Sequence, residues 1–185
     1  IGVRLVGSEM CIRDRFCYNT SSRNAKGGRA VDNVLTIAEE RLNLFAHMAN
    51  SACGLSLWCF GMKKQLYTCT CPAEKEFRLF LDSGQCLDYA IAHGPESHAP
   101  ILMSDPIGML WVAECVWHGD DASYLVILGP VFDAAASLQT LQNCLRGMNL
   151  SVSLTATIME KLEQVPILPL STLHQYIKML HWVLY

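Results

Sequence analysis

The side chains best suited to chemistry are nine cysteines, six histidines and a single carboxylate set inside an apolar run. Cys69-Thr70-Cys71 places two thiols at a spacing that turns both to one face of a strand, but no second pair at ligand spacing accompanies it. No metal site is expected. Cys71 stands before Pro72 at a strand end, where partial exposure would keep it available to a ligand. His47, His93, His98, His118, His174 and His181 make no H-x-x-x-H or H-E-x-x-H pattern. Cys115, His118 and Asp120 or Asp121 are the ingredients of a nucleophilic set, yet neighbours in one hairpin cannot easily converge on a reacting atom. G-x-S-x-G and both glycine-rich phosphate loops are missing. The chain is therefore read without catalytic residues and without a cofactor.

Glu114, in the middle of VAECV, is the sharpest residue: a carboxylate there must be paired, protonated, at an edge or facing a ligand. Trp58, Tyr67, Trp111 and Trp117 lie on predicted strands and could wall a small-molecule pocket. The expected ligand-binding set is Trp58, Tyr67, Cys71, Trp111 and Glu114.

The elements that must position these residues follow from periodicity. Val31, Val34, Leu35, Ala38, Leu42, Phe45 and Ala49 trace one stripe of a long helix closed by Gly54. Two strand-like runs, LSLWCF and QLYTCTC, flank the turn GMKK. Two short helical patterns, EKEFRLFL and QCLDYAIA, are split at Asp82-Ser83-Gly84. Three apolar runs then follow, punctuated by Asp-Pro-Ile-Gly and His-Gly-Asp-Asp-Ala-Ser, which is the pattern of a β-meander. Both parities of residues 109–118 are mostly apolar, so the sheet should be covered on both faces. Asp133 is expected to cap a helix running to about Arg146, and a second helix should cover about Ser153–Gln164. Leu173, Tyr176, Ile177, Leu180 and Leu184 share one face of a last helix whose expected cap is Ser171. That face is read as a connector and dimerisation surface. The order predicts an α+β, GAF/PAS-like domain: a five-stranded antiparallel sheet covered by helices, ending in a helical connector.

Composition bounds the rest. With 185 residues, 51% hydrophobic and 17% charged, the chain can fill one core, and its apolar runs are too short for a membrane span. A net charge of −3 without a basic run leaves no electrostatic footprint for nucleic acid. Nine cysteines scattered over core-like segments read as reduced thiols of a cytoplasmic protein.

VRLVGSEMCIRDR, residues 3–15, resembles translated sequencing-adapter DNA, so residues 1–15 are set aside as an artefact. Residues 16–30 are read as a disordered lead-in, 31–165 as the sensor domain and 166–185 as a truncated connector helix. LSLWCF with YTCTCP, PILMSDPIGMLWVA, VILGPVF, NLSVSL and VPILPLSTLHQYIKMLHWV together resemble the N-terminal sensor domain of AraC-type transcriptional regulators of gut Firmicutes. The resemblance implies a small-molecule effector, a homodimer and DNA contact only through a helix-turn-helix domain C-terminal to Tyr185 that this chain does not contain. The last helix lacks stop signals, which agrees with a connector that continues. The competing readings are a ligand-free dimerisation module and a small thiol enzyme using Cys71 or Cys115.

Overall fold

A computed structural model describes residues 29–185, apart from Gly84, His98, Gly119 and Asp120 and the side chains of 29–39, His118 and Asp121. The segment set aside as an artefact lies outside the described residues. So does the expected lead-in, except Arg29 and Ala30, which open the first helix. The chain divides into two compact units, Ile1–Thr36 and Ile37–Tyr185. The described part of the first is the start of that helix; the second holds everything below.

The elements run α1 (Arg29–Cys53), β1 (Leu57–Gly61), β2 (Leu66–Cys69), α2 (Glu74–Ser83), α3 (Cys86–Ser97), β3 (Ile101–Ser104), β4 (Leu110–His118), β5 (Asp121–Val131), α4 (Leu138–Gly147), α5 (Val152–Leu162) and α6 (Leu170–Leu184). The strands form one antiparallel sheet in the order β2-β1-β5-β4-β3. The fold is thus α+β with the helical insertion between β2 and β3, as the sequence order predicts for a GAF/PAS-like domain.

Two cores explain the doubly apolar strands. Trp58, Phe60, Trp111, Ala113, Leu125 and Ile127 pack on one face with Phe77 and Phe80 of α2, Leu87 and Ala90 of α3, and residues of α4 and α5. Leu57, Cys59, Val112, Val126 and Leu128 pack on the other with Leu42, Phe45, Ala46 and Ala49 of α1 and Leu173, Ile177 and Leu180 of α6. The strands β1, β4 and β5 therefore feed both layers by their alternation, and the middle of the sheet is covered on both faces.

Local signals act largely as their chemistry demands. Gly54 ends α1 at φ +71, its N–H donating to Asn50 O at 2.8 Å, the geometry that favours glycine after a helix. Asp105 organises the turn between β3 and β4: Oδ1 accepts from Ile107 N and Met109 N at 3.0 Å each, and Oδ2 accepts from Trp111 Nε1 at 3.1 Å. Burial raises the Asp105 carboxyl to about 6, against the pull of those three donors.

Two expected caps are displaced. Asp133 does not begin α4, which starts at Leu138 behind Ser137, whose Oγ accepts from Thr140 N at 3.1 Å. Asp133 instead caps α6 from a distance, Oδ1 accepting from Leu170 N at 3.0 Å. Ser171 lies inside α6 and leaves the cap role to it. The approach to α6 is tied to the end of β5 by Phe132 N to Pro166 O at 2.9 Å and Leu168 N to Phe132 O at 2.8 Å.

Gly129 is the tightest backbone position. Its φ is +135, and a Cβ there would meet Leu110 O at 2.9 Å and Trp111 Cε3 at 3.1 Å. Its carbonyl also accepts from the buried Trp58 Nε1 at 2.8 Å. Gly129→Ala is expected to lower unfolding free energy by about 2–3 kcal/mol through strain and overpacking. A urea midpoint equal to that of the parent protein would refute this.

Candidate functional site

The sheet does not assemble the five expected ligand residues in one place. Trp58 and Trp111 are wholly buried, their rings edge-to-face at 6.0 Å between centroids, in the layer beneath α2 and α3. Cys71 is buried at the margin of the same layer. Tyr67 stands exposed on the edge strand β2, against Tyr124 at 5.5 Å. Glu114 takes the parity of Val112 and pairs in register with Val126, so it faces the opposite side, toward α6. The space expected to hold a metabolite between the sheet and residues 73–93 is occupied by Trp58, Phe60, Phe77, Phe80 and Leu87.

The stripe on α6 is corrected in the same way. Leu173, Ile177 and Leu180 are buried against the sheet, with Tyr176 and Leu184 packed alongside. A face engaged with its own domain's core is not open to a partner. The outward side of α6 carries Met179 and Trp182, the latter 80% exposed.

Glu114 is where burial, polarity and space coincide. The Glu114 side chain is 7% exposed and accepts at Oε1 from His181 Nδ1 at 2.6 Å. Its other oxygen, Oε2, is buried and has no hydrogen-bond partner among the described residues. A buried ionisable group left half-satisfied is unusual and costly. Beside it lies a cavity of about 290 Å³ lined by Gly94, Ala99, Glu114, Cys115, Trp117, His181 and Tyr185.

This cavity exists because β3 is short. It pairs with β4 only from Leu110 to Ala113, so among the described residues no strand lies beside that edge of β4 beyond Ala113. Tyr185 supplies a substitute: its hydroxyl donates to Cys115 O at 3.0 Å and accepts from Trp117 N at 3.2 Å. One turn earlier on the same helix, His181 stacks near the Tyr185 ring at 4.8 Å between centroids. Burial raises the Tyr185 hydroxyl above its usual range, so it stays protonated and able to bridge the strand edge.

Cys69, Cys71 and Cys115 are held in the thiol form. Burial pushes Cys69 up to about 12 and Cys115 up to about 11, the latter helped by neighbouring Glu114, and Cys71 is raised as well. A nucleophilic cysteine requires the opposite shift. Among the described residues, no group of three His, Cys, Asp or Glu side chains converges in a way that could hold a metal ion.

His181, Tyr185 and Asp105 are the functional or organising residues that sequence reasoning passed over. Glu114 carried the available signal, since a carboxylate in an apolar strand demands a partner. His181 lies 67 positions away, and only the packing of α6 on that face brings the two together. No protein-family model and no curated protein matches the chain.

Proposed function

We propose that this chain is the ligand-sensing and dimerisation domain of a cytoplasmic AraC-type transcription regulator, which binds a small metabolite and passes the signal to a helix-turn-helix domain. The observation that carries the sensing role is the unpartnered Glu114 Oε2 beside a cavity whose wall is shared by the β4 edge and α6. A ligand there touches the element that carries output. Differential affinity for two settings of α6 is what couples occupancy to signal. The GAF/PAS-like fold supports the reading, and the exposed apolar residues Leu44, Met48, Met179 and Trp182 on α1 and α6 support association of two copies. No helix among the described residues is long and apolar enough to cross a membrane.

The test is a melting-temperature screen of chemically diverse metabolites at millimolar concentration, read together with sedimentation. A bound metabolite at about a hundredfold its dissociation constant should add roughly 2.7 kcal/mol of stability. The raised melting temperature should disappear in Tyr185→Phe. If no metabolite moves the transition while the protein sediments as a dimer, the domain is a ligand-free dimerisation module and the sensing role is lost. The thiol-enzyme reading has the raised cysteines against it.

A further inference from the structure

The chemistry of the cavity narrows what can fill it. Glu114 offers an acceptor oxygen that no described residue uses. No other described lining residue donates to it. Tyr185 has engaged its hydroxyl in both directions with Cys115 O and Trp117 N. His181 already donates to Oε1, and no lysine or arginine is among the described residues of the wall. A donor carried by a ligand would complete this carboxylate.

Charge and shape agree on its class. The rings of Trp117 and Tyr185 border the same space as the carboxylate, and such aromatic faces attract a cation through their quadrupole. Gly94 keeps the wall open next to Cys115, because a Cβ at that position would collide with Cys115 Sγ. A volume of about 290 Å³ lies at the small end of the ligand-pocket range of roughly 300–1,000 Å³ and far exceeds what one water requires. An anion would face the carboxylate without a compensating cation, and a neutral alcohol would supply one weak donor where a charged one is wanted.

We propose that the cavity at the free edge of β4 takes a small organic cation bearing a primary ammonium group, with the half-satisfied Glu114 carboxylate as its acceptor. The proposal rests on the reading that this domain binds a metabolite here and adds the chemical class of that metabolite. The ammonium group also competes with the imidazole for one carboxylate, so occupancy loosens the link between Glu114 and α6.

Titration of the full 185-residue chain with butylammonium chloride, butan-1-ol and sodium butyrate at equal ionic strength tests this, read by NMR on Trp117 and His181. Butylammonium should shift those signals saturably and bind about tenfold or more tightly than the other two. Glu114→Gln should remove that advantage, whereas His181→Ala, which takes away the competing donor, should keep or strengthen it. Ala99→Trp, placed at an exposed lining position, should block binding, and it decides the matter if the Gln variant does not fold. Butylammonium binding no better than butan-1-ol, or equally well to Glu114→Gln or, should that variant not fold, to Ala99→Trp, overturns the cation class. Saturable binding of butan-1-ol or butyrate alone leaves a sensing cavity with a different ligand. Failure of all three probes together with a silent metabolite screen removes the sensing reading itself.

Discussion

Asp105→Ala is expected to lower the unfolding free energy at pH 5 by on the order of 3–5 kcal/mol, because three buried donors lose their only shared acceptor. Ile107 N, Met109 N and Trp111 Nε1 all end on this carboxylate, and the turn that joins β3 to β4 closes around it. The penalty should also depend on pH in a definite direction. Burial raises the native carboxyl from 3.8 to about 6, so the native state holds its proton more tightly than the unfolded chain does. The stability contributed by Asp105 is then complete below about pH 4 and declines as pH rises through 6. The difference between parent and variant should shrink over that window by at most about 3 kcal/mol. Urea unfolding at several pH values reads both effects. A penalty that grows with pH would mean that the three donors outweigh burial and hold the group ionised.

Trp111→Ala should be equally severe, about 3–5 kcal/mol, for a wholly buried indole packed edge-to-face on Trp58. It also leaves Asp105 with one donor fewer. The two substitutions therefore cannot add: the double variant should fall short of the sum by roughly 1–2 kcal/mol, the signature of a shared hydrogen bond. Full additivity would show that Nε1 and Oδ2 contribute independently. Unchanged stability in the single variant would place Trp111 outside the core altogether.

The contrast between Trp111 and Glu114 shows what was readable along the chain. Local periodicity was enough for α1, the β1–β2 hairpin, the meander and the doubly covered sheet, since each depends on spacings within a dozen residues. The same alternation already separated Trp111 from Glu114 onto opposite faces, so the expected pocket holding both was inconsistent with the strand's own parity. What could not be read were pairings across long separations. Asp133 has the chemistry of a cap, but the helix it caps begins 37 residues later, while Ser137 serves the nearer one. The apolar stripe on α6 was visible, yet an apolar stripe fits its own sheet as well as a second copy. Only packing decides between them.

The two attachments of α6 give it the mechanics of a beam. Its first turn is pinned to Asp133 and the β5 end, and its last turn is latched to the β4 edge through Tyr185 and His181. Fifteen helical residues span about 22 Å, so a tilt of about 5° around the pinned end carries the latched end by roughly 2 Å. The pivot barely moves while the tip travels. Movement of the carboxylate latch is therefore movement of the free end of the lever, and the stiffness of the Asp133 pin sets how much of it is rotation rather than sliding.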